Sequence, residues 1–102
     1  MTTEGPRPYQ VVLSGLARDH LRELFRAAAR AGRWEEVTAD AEVLMRALTW
    51  VPETVAEAVV DLPPLGRVQV GSFRSIQLRI AVNDDRLLVF ASWFRLLPAE
   101  SA

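Results

Sequence analysis

The sequence predicts an α+β domain of order β-α-α-β-β-β, an antiparallel sheet with an αα-hairpin packed on one face. Three observations carry this. Ile76, Leu78, Ile80 and Val82 alternate with Gln77, Arg79 and Ala81, the period-two pattern of a strand with one buried face. Two segments before Pro52 carry apolar residues at helical spacing, and the short break at Gly32 between them makes them antiparallel neighbours. Three strand-like runs then follow Gly66 in close order; strands joined by short turns pair as a meander, which the helix pair can cover.

Taken in order, Tyr9 to Leu13 (YQVVL) is a short strand candidate, preceded by a Gly/Pro/Arg tail over residues 1–8 that is expected to be flexible. Ser14 reads as an N-cap, with Asp19 expected in the first helical turn. The first helix is expected from Leu16 to Ala31, with Leu21, Leu24, Phe25 and Ala28 on one face, and Gly32 closes it. The second runs from Arg33 to Trp50. Trp34, Val37, Ala41, Leu44, Leu48 and Val51 form its apolar seam, and Pro52 stops it.

Residues 52–66 (PETVAEAVVDLPPLG) read as a connector, with Val55 to Leu62 partly extended and Pro63-Pro64 marking a break. Strands are expected over Arg67–Arg74, Ile76–Asn83 and Arg86–Leu97. The last is apolar at nearly every position, which suits the interior of a sheet. Asn83-Asp84-Asp85-Arg86 supplies turn chemistry before it. The domain is expected over residues 9–97, with 98–102 as a second tail.

Composition sets outer bounds. A chain of 102 residues, half hydrophobic and a quarter charged, holds one globular core. No apolar run approaches the roughly 20 residues of a membrane span. The start, MTTEGPRPY, lacks the basic head and apolar stretch of a signal peptide, so the expected location is cytoplasmic. Absent cysteine excludes disulfides, thiol catalysis and thiolate metal sites.

All 12 basic residues are arginine, a bias that a GC-rich genome produces. A net charge of −1 gives the whole molecule no general attraction for nucleic acid. The distribution is uneven, however. Residues 1–66 hold 7 arginines against 10 acidic residues, whereas residues 67–102 hold 5 against 3. The expected sheet is the basic part.

Candidate residues divide accordingly. Arg18, Arg22, Arg26 and Arg30 form a helical stripe, but Asp19 and Glu23 lie three residues before Arg22 and Arg26, so a solvated, ion-paired face accounts for it. His20 is the lone histidine and has no second histidine to share a metal. Ser14, Ser72, Ser75 and Ser92 have no base in their sequence context, and the five glycines make no phosphate-cradling loop. No metal or cofactor is implied.

The sheet arginines are the stronger candidates. If the aliphatics of Ile76–Val82 pack on the helices, Gln77 and Arg79 project from the opposite, open face. Arg67, Arg74 and Arg95 come from neighbouring strands, and register decides whether they join them. Grouped guanidinium ions bind phosphate bidentately and stabilise developing charge. Phe73, Trp93 and Phe94 supply rings that stack on bases, receive a partner's side chains, or fill the core.

With YQVVLSGLARDHLREL, the two-helix hairpin, LPPLGRVQVG and above all LRIAVNDDRLLVFASWFRL in view, residues 9–97 resemble the RelE/ParE superfamily of small bacterial toxins. The resemblance implies a β-α-α-β-β-β toxin neutralised by an antitoxin protein that wraps around it. RelE-like and YoeB-like members cleave messenger RNA on the ribosome by 2′-hydroxyl attack without a metal; ParE-like members inhibit DNA gyrase.

Carried over by position, the early third-strand arginine of RelE-like members falls on Gln77, with Arg79 two residues along. Arg74 substitutes for an assisting basic residue. The terminal histidine and tyrosine of YoeB-like members fall on Arg95 and Leu96. The implied catalytic set is Arg74, Arg79 and Arg95, with Arg67, Gln77, Phe73, Trp93 and Phe94 contacting RNA or a partner. No tyrosine follows Tyr9 and no general base is evident, which gives a second expectation: a gyrase inhibitor or a degenerate, non-enzymatic interaction module on the same fold. A homodimer through Trp34, Trp50 or Trp93 is a third.

Overall fold

Burial of β4 (Ile76–Asn83) organises the structure, a computed structural model that describes residues 7–62 and 66–98. Ile76, Leu78, Ile80 and Val82 are buried, whereas Gln77, Arg79, Ala81 and Asn83 face the other way. The buried set packs against α1 (Gly15–Arg30) and α2 (Trp34–Trp50) through Ala17, Leu24, Ala28, Val37, Leu44 and Leu48. Both helices therefore lie on one face, and the architecture is α+β. Among the described residues no helix is long and apolar enough to cross a membrane.

The helix ends follow the local sequence. Ser14 caps α1 by accepting the Ala17 amide at 3.0 Å, as the sequence predicts. Asp19 does not lie in the first turn, because the helix starts earlier, at Gly15. At the far end Arg33 N donates to Ala28 O and Gly32 N to Ala29 O, a paired closure that needs a left-handed residue; Gly32 supplies it at φ 69. The apolar seam of α2 is buried only in its middle. Trp34 and Val51, at its ends, are 51% and 42% exposed.

The sheet differs from expectation in two ways. It has five strands, in the order β1-β5-β4-β3-β2, where β1 is Gln10–Leu13, β2 Glu57–Leu62, β3 Gly66–Phe73 and β5 Leu88–Leu96. The extra strand is β2, which forms inside the segment read as a connector and pairs antiparallel with β3. Nearby, Gln69 of β3 is buried on the helix-facing side, and its amide nitrogen donates to Pro52 O at 2.9 Å and Ala56 O at 3.0 Å. The second difference is that the sheet is mixed rather than antiparallel. β1 pairs parallel with β5, two strands far apart in the chain that no hairpin joins, as parallel pairing requires. The break expected at Pro63-Pro64 and the tails, apart from Arg7, Pro8 and Pro98, lie outside the described residues.

The expected turn at Asn83–Arg86 is one residue longer. Asn83 Oδ1 accepts the Arg86 amide at 3.0 Å, and Leu87, at φ 51, completes the reversal, so β5 begins at Leu88. β5 lies inside the sheet, as its apolar character predicts.

The β3–β4 hairpin turns through Arg74-Ser75 alone. Arg74 has φ 57 there, a conformation that favours glycine. Asp40 of α2 holds this turn: its carboxylate accepts Ser75 Oγ at 2.7 Å and Ser75 N at 3.3 Å, with Arg74 at 3.5 Å. Both Asp40 and Ser75 are buried, so loss of the carboxylate strands two donors. Asp40→Ala is expected to destabilise the fold by about 2–3 kcal/mol, the typical cost of stranding a buried donor that bonded a charged acceptor. Urea unfolding would measure it, with the midpoint falling and the slope unchanged.

Candidate functional site

Register sorts the sequence-predicted residues into two groups. Across β4 and its neighbours, Gln77 pairs with Ser72 and Arg95, and Arg79 with Val70 and Trp93. Paired residues share a face, so Gln77, Arg79, Trp93 and Arg95 stand together on the side away from the helices. Arg79 and Arg95 are exposed there. Val70, Gln77, Arg79 and Trp93 line a shallow pocket of about 220 Å³.

Arg67, Phe73 and Phe94 lie on the opposite, helix-facing side, paired with Val82, Ile76 and Leu78. Phe94 is 3% exposed and belongs to the core; Phe73 packs against that core. Arg74 points to Asp40 at the hairpin turn and lies over the Phe73 ring. The structure therefore joins Arg79 with Arg95 and leaves Arg74 apart.

A bulge makes this possible. Arg79 pairs with Trp93 but Ile80 with Ala91, so Ser92 is an extra residue in β5. Before it Val89 and Ala91 are buried; after it Phe94 is buried and Arg95 exposed. Unbroken alternation from Ala91 would have turned Trp93 and Arg95 inward and Phe94 outward. Ser92 also ties the two strands, since its Oγ donates to Arg79 O and accepts Arg79 Nε, both at 3.3 Å.

Next to the arginines the open face is apolar. The register aligns Val12, Phe90, Ala81 and Val68 in one row across four strands, with Phe90 41% exposed. Among the described residues Glu57, at the β2 edge, is the one acidic residue that the register places on this face. Sequence reasoning passed over Phe90. Its position in an unbroken apolar strand gave no sign of which face it takes.

Arg67 belongs to a different construction, at the end of the sheet. Its Nη1 donates to Asp84 at 2.8 Å and its Nε to Gln69 at 2.7 Å, while the Tyr9 hydroxyl donates to the other Asp84 oxygen at 2.7 Å. This network joins the residue before β1, the β4–β5 turn and β3. The Tyr9 hydrogen bond, and then Arg67, hold the Asp84 carboxyl below its ordinary 3.8. The same hydrogen bond, followed by partial burial and the Asp84 charge, pushes Tyr9 from 10.0 up to about 12. Among the described residues no three His, Asp or Glu side chains gather as a metal site requires.

The signs of these shifts fix a pH dependence. A lowered carboxylate stabilises the fold above its unfolded value and ceases to as pH falls through the folded one; a raised phenol stabilises below 10 and is lost between 10 and about 12. Urea midpoints of wild type should therefore fall at both extremes. Tyr9→Phe should flatten the alkaline fall and Asp84→Asn the acid one. Unchanged slopes in both variants would show that this network does not couple to folding.

Comparison of the chain with protein-family models, with curated proteins and with solved structures gives no match.

Proposed function

We propose that this chain is the toxin-like component of a toxin–antitoxin pair, on a RelE/ParE-like scaffold, and that it acts by binding a macromolecular partner through the open face of its sheet. The observation that carries the reading is the grouping of Arg79 and Arg95, from adjacent strands, around Trp93 on a face the helices leave bare. Exposed Phe90 and the row beside it add apolar area that water would leave on binding. Cations beside a central ring suit an acidic, partly apolar protein segment, such as an antitoxin would supply.

Binding accounts for this face better than catalysis. Ribonuclease chemistry by 2′-hydroxyl attack needs a base near the charge-stabilising arginines. Glu57, the carboxylate on this face, stands two strands away from Arg79, with Val70 between them, and Tyr9 and Asp84 are bonded to each other beside Arg67. The Nδ1 lone pair of His20 is already used by a backbone amide. Arg74, which the ribonuclease set would require, is held by Asp40.

Expression in a bacterial host, alone and together with any small reading frame found adjacent to the gene, is the test. Growth arrest relieved by the neighbour's product, and direct binding of that purified product, are expected. Arg79→Ala with Arg95→Ala should weaken binding roughly a hundredfold, about tenfold for each charge-assisted contact, while Arg74→Ala leaves it unchanged. The absence of both arrest and binding would overturn the proposal. Cleavage of messenger RNA by ribosomes with added protein would replace the binding reading with the enzymatic one.

A further inference from the structure

β1 covers the outer edge of β5 only as far as Ala91, where Leu13 pairs and Ser14 N donates to Ala91 O. Beyond that point the edge is met by α1. His20 Nδ1 accepts the backbone amide of Phe94 at 3.2 Å, and its ring meets the Trp93 ring edge-on at 6.3 Å between centroids. An imidazole accepts at Nδ1 only while that nitrogen is unprotonated; as imidazolium both nitrogens donate, and Nδ1–H faces Phe94 N–H. The amide of Phe94, a residue that is almost wholly buried, is then left without its partner.

We propose that His20 is a positioning residue with a proton-dependent hold: neutral, it pins β5 to α1 and sets the Trp93 ring on the open face; protonated, it releases both. This deepens the binding reading above, because Trp93 lines the pocket between Val70, Gln77 and Arg79. Charged groups lie on α1 and on the strands beside His20. On α1 Asp19 pairs with Arg22, and Glu23 with Arg26 and Arg30. β1 carries no charged residue; Arg79 is the cross-strand partner of Trp93, and Arg95 follows Trp93 two residues on in β5. Partner affinity should accordingly be highest above the His20 titration and fall below it.

The test needs no partner. With Trp34→Phe and Trp50→Phe, Trp93 is the lone tryptophan, and its emission is followed against pH beside the His20 ring signals and the exchange protection of the Phe94 amide. Trp93 emission and Phe94 protection should change with the His20 midpoint, protection dropping roughly fivefold as one hydrogen bond is lost. His20→Gln, which retains an acceptor but does not titrate, should hold the high-pH signal throughout. His20→Ala should show the low-pH signal at every pH.

Phe94 protection that stays constant through the His20 titration would overturn the proposal, as would Trp93 emission that titrates unchanged in His20→Gln. The wild-type comparison of His20 with Phe94 decides the matter even where a variant does not fold. A Trp93 that follows His20 on a face that binds nothing would remove the binding reading and leave this one standing.

Discussion

The alternation of β4 against the helix hairpin is the constraint on which the rest depends. Ile76, Leu78, Ile80 and Val82 are each at most 1% exposed. Burying an aliphatic side chain of this size is worth about 1.5–3 kcal/mol, so a slip of one residue would forfeit roughly 6–12 kcal/mol, comparable to the whole stability of a small domain. That cost fixes which face of every neighbouring strand is inside. Because β3 and β5 are registered on β4, the positions of Arg79, Arg95 and Trp93 are consequences of the core rather than independent choices.

Two polar clamps hold the covered layer at its ends. At one, the buried Asp40 carboxylate fastens the β3–β4 turn to α2, which keeps Arg74 in a backbone conformation that glycine would adopt more cheaply. At the other, Tyr9, Asp84, Arg67 and Gln69 join the residue before β1 to the last turn and to the segment after α2. Among the described residues every buried side-chain polar atom finds a partner, so the helix-facing side of the sheet carries polar groups without stranding them. The open face has a different character. Its arginines are not held by carboxylates: Arg79 bonds Ser92, and both guanidinium groups face solvent. Cations left to solvent next to exposed rings suit recognition better than they suit folding.

Much of this was legible in the chain. Ser14 and Gly32 bounded the first helix, Pro52 ended the second, and the period-two pattern of residues 76–82 placed Gln77 and Arg79 opposite the core. These signals are local, since capping, backbone conformation and side-chain alternation depend on near neighbours. The segment before Pro63 gave a weaker signal. Val55 to Leu62 read as partly extended, but that it joins the sheet as a fifth strand depends on the edge β3 offers it, which its own residues do not show. The parallel pairing of β1 was likewise invisible, because it joins residues nearly eighty positions apart.

What the sequence determined by itself was the layer arrangement, two helices on one face of a sheet, and the sign of the charge in the sheet half. What only the tertiary structure decided was which arginines stand together. Arg67 and Arg74 are drawn to Asp84 and Asp40, partners far away in sequence. Arg95 reaches the open face through one extra residue, Ser92, in a strand whose apolar run carries no alternation to read. A bulge shifts the side-chain alternation by one position, and which positions face inward on either side of it is visible only in the pairing with β4, not in the run of apolar residues.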